Sequence, residues 1–220
     1  MKYKRNIYKV NDPPADFRQR IYSYFKNSEY LFELNNHNYN YPFGAFPNII
    51  AEGCLSELRL SHAENAFSKL ENYMHDKNDW LFGYFSYDLK NDIEVLKSSN
   101  KDHKCFPELY FVQARHIFEF EDDGIIIKSI DDPKKIYEEI MTEEVINDST
   151  PSVEIDFKQL CSREKYLETI EKLKNHVYEG DIYEINFCTE FLSNCEAPNP
   201  HSLANKLWEL SPTPFASYMK

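Results

Sequence analysis

Glycine is scarce in this sequence, with five in 220 residues. Neither G-x-G-x-x-G nor G-x-x-x-x-G-K occurs, so nucleotide binding through the usual phosphate-cradling loops is excluded. A basic surplus is missing as well. Lys and Arg number 25 against 37 Asp and Glu, giving a net charge of −12. Such a chain has no surface to displace counterions from a phosphate backbone, and nucleic acid is not an expected partner. No window approaches the ~20 apolar residues of a membrane span. Met1 to Val10 is charged and mixed, without the apolar stretch of a secretion signal. The expected location is the cytoplasm, with no membrane partner. Five cysteines (Cys54, Cys105, Cys161, Cys188 and Cys195) are odd in number and widely spaced, without C-x-x-C. That pattern argues against a zinc ribbon, a redox pair or a disulfide framework. H-E-x-x-H and G-x-S-x-G are also absent.

What is present is material for a core. Apolar residues make up 42% and aromatic residues 15%, and a chain of this length buries roughly 70–75% of its unfolded surface. Asp12-Pro13-Pro14 reads as a helix start, with Phe17, Ile21, Tyr24 and Phe25 on one side as far as about Lys26. Tyr30 to Leu34 reads as a short buried strand. A polar, aromatic stretch from Asn35 to Pro47 follows, then strands at Asn48 to Ala51 and Glu57 to Leu60. Ser61 reads as the cap of a helix bearing Ala63, Ala66, Phe67, Leu70 and Tyr73. Trp80 to Tyr87 reads as a strand, with Gly83 at a close approach or bulge. Leu109 to Phe120 leads into Asp123-Gly124 and resumes at Ile125, a hairpin whose turn is expected to need positive φ.

Pro133 to Val145 reads as an acidic helix. Asn147 to Ser152 is the linker candidate, dividing the chain into domains 1–148 and 153–220. Ser162 caps a helix with Tyr166, Ile170, Leu173 and Val177 on one stripe, ended by Gly180. A strand is expected from Ile182 to Leu192, then a helix from His201 to Leu210. Strands dominate the first 130 residues in hairpin style, so the fold class is α+β.

Three groupings bear on function. Glu119 to Gly124 resembles a calcium loop, but Ile130 stands where a bidentate carboxylate is required, and a solvated hairpin turn is the better account. In the strand expected at Ile182 to Leu192, alternation puts Tyr183, Ile185, Phe187 and Phe191 on a core face. Glu184, Asn186, Cys188 and Glu190 then share the other, either solvent-facing or lining a cleft for a polar ligand. Asn35 to Phe46 combines rings, amides and Gly44, which suits either a pocket for an amphipathic molecule or a loop packed over the sheet.

Four segments together resemble a known family. Glu179-Gly180-Asp181-Ile182-Tyr183-Glu184-Ile185-Asn186-Phe187 is similar to a characteristic strand of chorismate-utilising enzymes. Ser211 to Tyr218, with Pro212-Thr213-Pro214-Phe215, resembles a second segment at the expected distance. Tyr41 to Phe46 with Ile49 to Ala51, and Trp80 to Asp88, look like two more, most nearly those of aminodeoxychorismate synthase large subunits. The resemblance implies a two-sheet α/β sandwich flanked by helices, incomplete in this chain.

It further implies amination of chorismate to 4-amino-4-deoxychorismate, for 4-aminobenzoate and folate synthesis, with ammonia from a glutamine amidotransferase subunit. Anthranilate synthase component I is the alternative enzyme, and a non-catalytic ligand-binding module the alternative outside enzymes. The family's magnesium ligands and catalytic acid–base groups belong to later sequence. No catalytic residue and no metal ligand is therefore expected within residues 1–220, and Mg2+ belongs to the full-length enzyme. Glu184 stands where relatives carry Gln or Lys, and with Asn186 it is a substrate-pocket candidate. The family's distal tryptophan site maps to Leu34, Asn36, Phe43, Gly44, Ala45, Phe46, Pro214, Phe215 and Ala216, with Asn36 in place of Ser. The resemblance makes tryptophan the candidate ligand there.

Overall fold

The structure, a computed structural model, describes residues 2–39, 41–62, 64–96, 101–145, 155–194 and 199–220. The linker candidate Asn147 to Ser152, Cys195 and Ala63 lie outside them. The chain divides into two units, Met1–Asp148 with Ala204–Lys220, and Ser149–Leu203.

The first unit is built on two antiparallel sheets. The larger orders β1 (Asn6–Asn11), β8 (Gly124–Ser129), β7 (His116–Glu121), β3 (Ile49–Glu52), β2 (Leu31–Asn35) and β11 (Ala216–Met219) side by side. The smaller orders β4 (Ser56–Leu60), β6 (Leu109–Gln113) and β5 (Leu81–Phe85). Period-2 alternation divides the larger sheet's apolar residues between two cores. Ile50, Phe118, Ile125 and Ile127 pack on one side with Phe17 and Ile21 of α1 (Phe17–Tyr24) and Ile140 of α3 (Pro133–Thr142). On the other side Phe32, Ile49, Ala51 and Ile117 meet Phe82 and Val112 of the smaller sheet. That sheet's outer face is closed by α2 (Ala66–Lys77), through Ala66 and Leu70 with Leu89 and Leu109. Helices, sheet, sheet and helix are thus stacked in an α+β sandwich. No helix among the described residues is long and apolar enough to cross a membrane.

Several expectations shift by a few residues for local reasons. The first helix starts at Phe17 rather than at the prolines, because Asp12 takes φ +50° and Phe17 N–H closes a turn onto Pro14 O. The second starts at Ala66 rather than after Ser61. Its first amides, Asn65 and Ala66, donate to the Asp92 carboxylate, a cap supplied from a distant loop. The apolar run Leu109 to Phe120 is two strands in different sheets, broken at Ala114-Arg115.

The 122–123 hairpin turn contains no positive φ. Gly124 is needed for another reason, since a Cβ there would lie 2.3 Å from Val10 O on the neighbouring β1. Gly83 does mark a close approach, with its notional Cβ 1.9 Å from Tyr110 O.

The second unit contains α4 (Arg163–Glu179) and a two-stranded ladder of β9 (Lys158–Gln159) and β10 (Phe191–Leu192). Ser162 Oγ accepts from Lys165 N–H, and Gly180 closes the helix at φ +84°, both as the sequence suggests. The strand expected from Ile182 is confined to Phe191–Leu192. Residues 182–190 have no ladder partner among the described strands, and without one the alternating pattern cannot be expressed as a strand. Tyr183 and Ile185, expected in the core, are exposed.

Candidate functional site

Pairing of β11 with β2, which places Ala216 opposite Asn35 and Ser217 opposite Leu34, draws two distant loops together. The first is the stretch after β2. Asn36 shapes it by donating from Nδ2 to Phe46 O (2.8 Å) and accepting Asn38 N–H on Oδ1 (2.8 Å), while its own N–H donates to Asn48 Oδ1 (3.0 Å). His37 and Asn38 take φ of 50° and 53°, a conformation that Asn and His tolerate better than most residues. Phe46 N–H donates to Pro214 O at 3.0 Å, tying this loop to the second.

Rings fill the space between the loops. Phe46 meets Phe215 edge to face at 5.4 Å, Phe215 meets Tyr41 at 5.3 Å, and Tyr41 meets Phe43 at 5.9 Å. The nine residues expected to form a distal pocket therefore gather around one junction. The rings do not stand as parallel walls: they form a chain of edge-to-face contacts, with Phe43 87% exposed at its end. Gly44, in the turn beside it, has φ +89°.

His37 and Tyr41, within the stretch singled out in the sequence, and Thr213 join the junction, and Trp208 is a member that sequence reasoning missed. His37 Nδ1 lies 3.0 Å from Thr213 O, and its ring meets Trp208 at 5.5 Å. A carbonyl accepts only, so Nδ1 carries a proton, and Nε2 is buried without a partner among the described residues.

Asn35 links this junction to a buried polar group below it. Its Oδ1 accepts His37 N–H at 2.8 Å, and its Nδ2 donates to Glu33 Oε1 at 3.2 Å. Glu33 also receives Arg18 and the Tyr22 hydroxyl. Burial, and then the charge of Glu33, hold the Tyr22 hydroxyl well above its usual titration range. The junction offers aromatic surface, backbone groups and one imidazole. Its chemistry is that of binding.

Glu184 and Asn186 are in the second unit, both exposed on the 182–190 segment. Nearby in sequence, His176, Glu179 and Asp181 bring one ligand atom each within 4.8 Å of one another, the one such trio among the described residues. All three are exposed, and His176 Nδ1 already lies 2.7 Å from Asp181 Oδ2. An open site with an imidazole does not fit magnesium, which takes oxygen ligands in near-ideal octahedra.

Comparison with known proteins adds one family and three relatives. The profile of the family described as chorismate binding enzyme matches residues 23–220. Anthranilate synthase component 1 of Buchnera aphidicola subsp. Pemphigus spyrothecae is 27% identical over 161 residues, covering 66% of this chain and 30% of that protein. The same-named protein of Buchnera aphidicola subsp. Rhopalosiphum maidis is 27% identical over 152 residues (63% and 29%). That of Thermus thermophilus is 25% identical over 150 residues (63% and 32%). The chain spans about three-tenths of the length of these curated relatives.

Proposed function

Since this chain belongs to the family of chorismate binding enzymes, we propose that it forms the N-terminal part of a cytoplasmic large subunit that aminates chorismate. The observation that carries this reading is the family match over residues 23–220, which takes in all four segments of the sequence resemblance. The finer reading is 4-amino-4-deoxychorismate as product, with ammonia from a glutamine amidotransferase subunit. It rests on Tyr41 to Phe46 and Trp80 to Asp88. A second reading, anthranilate as product, is favoured by the names of the relatives.

In either case Glu184 and Asn186 line the chorismate pocket, and the magnesium ligands and acid–base groups lie in sequence beyond residue 220. The loop junction around Phe43, Phe46 and Phe215 serves as the distal amino-acid site, with tryptophan as its proposed ligand. The gathered rings, and a buried His37 Nε2 without a partner among the described residues, support an aromatic occupant with a hydrogen-bonding group.

The test is incubation of the full-length protein with chorismate, magnesium and ammonium. 4-Amino-4-deoxychorismate is the expected product. Anthranilate would replace the first reading by the second, and isochorismate alone would overturn both.

A further inference from the structure

A cavity of about 950 Å³ opens in the first unit, and none of its residues belongs to the aromatic loop junction. Ile7 of β1, Leu70 and Met74 of α2, Trp80, Phe85 of β5 and Phe111 of β6 form its apolar walls. Solvent reaches large parts of them: Ile7 is 67% exposed, Met74 54% and Phe85 52%. An open groove walled by aromatic and aliphatic groups is one form a small-molecule site takes, and the volume is at the upper end of the common range.

The polar groups in the wall define the class of ligand. Arg5 donates from Nε and Nη2 to both oxygens of Asp79 (2.7 and 2.8 Å), and also to the carbonyls of Ala114 (2.7 Å) and Arg115 (3.1 Å). Asp79 additionally accepts from Trp80 N–H and Gln113 Nε2, both at 2.8 Å, so its carboxylate is saturated. Lys128 Nζ lies 2.5 Å from Glu119 and 4.8 Å from the centre of the Trp80 ring. Both cations of the wall are therefore neutralised by their own carboxylates, and an anionic ligand would have to break one of these pairs. Asn78 ends α2 in a left-handed conformation with its backbone N–H on Met74 O, and its exposed side-chain carboxamide has no partner among the described residues. It supplies one donor and one acceptor.

We propose that this cavity binds an uncharged, planar aromatic molecule of two or three rings carrying one hydrogen-bonding edge. The class differs from chorismate, a dicarboxylate, and the inference stands independently of the proposed reaction.

Two dyes with the same ring system separate the possibilities. N-phenyl-1-naphthylamine is neutral with one N–H, and 8-anilino-1-naphthalenesulfonate is its anionic counterpart. Titrated into the chain, the neutral dye is expected to saturate at one site with energy transfer from tryptophan that persists in Trp208→Phe. The anionic dye should bind at least tenfold more weakly. Met74→Asp and Ile7→Asp, both at exposed positions, should each weaken the neutral dye tenfold or more with an unchanged circular dichroism spectrum. Phe43→Ala, in the other cluster, should leave the titration as it was. Equal affinity for the two dyes overturns the ligand class. Binding that survives both aspartates, or that is lost in Phe43→Ala, overturns the location, and absence of saturation overturns the site itself.

Discussion

His116 is enclosed by groups from every direction. Its ring stacks on Phe25 at 5.7 Å, Nδ1 lies 2.8 Å from Ser129 Oγ, and Nε2 is 3.8 Å from the carboxylates of both Glu52 and Asp131. Burial outweighs the pull of Asp131, and the imidazole pKa falls to about 4. An unfolded chain takes this proton near pH 6.5. The contribution is therefore whole above about pH 6.5 and is lost as pH falls toward 4, by up to about 3 kcal/mol. Glu52, raised by burial, works in the opposite sense, since its penalty is relieved on protonation. Asp131, lowered by Arg115, adds a loss only at the acid end, below its ordinary 3.8. Urea midpoints measured from pH 7 to 4.5 should fall steeply for the wild type and markedly less for His116→Asn. Parallel curves would show that another group governs the slope.

Glu33 poses a sharper problem at the same scale, because it is 1% exposed and depends on Arg18 for its counter-charge. Arg18→Ala should cost about 3–5 kcal/mol, as expected when a buried charge loses its partner. The double variant Arg18→Met, Glu33→Leu should recover most of it. The sequence shows Glu33 as one polar residue in an apolar strand. Its partners come from a helix set beside that strand by packing, which no local pattern reveals.

Among the elements, those with their signals in adjacent residues were legible: the Ser162 and Gly180 caps, the β7–β8 hairpin and the buried β2. β1 was not. It is an edge strand exposed at most positions, so its Lys and Asn residues read as a charged terminus. The 182–190 segment failed in the other direction, with alternation present but no ladder partner among the described strands. The rings and amides of the loop after β2 were legible from composition, but its partner Pro214 to Ala216 only through family resemblance, since the two meet through strand pairing between distant parts of the chain. Gly83 carries a prediction at this scale. Gly83→Ala drives a methyl into Tyr110 O and should destabilise at or beyond the ~3 kcal/mol typical of severe overpacking. A thermal midpoint close to wild type would show that β5 can part from β6 at little cost.

Taken whole, the 220-residue chain distributes its burial unevenly. Every buried residue among those described lies in the first unit; between residues 155 and 203 none is buried, and Val177 and Leu167 on α4 are more than 40% exposed. A helix without a covered face derives little beyond its own propensity. Amide hydrogen exchange of this chain should show β3, β7 and β8 protected to the limit of global unfolding. The amides of α4 should exchange orders of magnitude faster, and equal protection in both would contradict this account.

The order of strands in the larger sheet also implies an order in time. The sheet contains the β7–β8 hairpin, closed over a two-residue turn, whereas β2 waits for β11 from about 180 residues further along the chain. Pairings so distant pay their loop-closure entropy before any contact rewards it, and they form late. During synthesis at roughly 5–20 residues per second, β2 stays an unpaired apolar edge for some ten seconds or more after it is made. The loops of the aromatic junction cannot meet until that interval ends, so any ligand they hold is recognised only by a finished sheet.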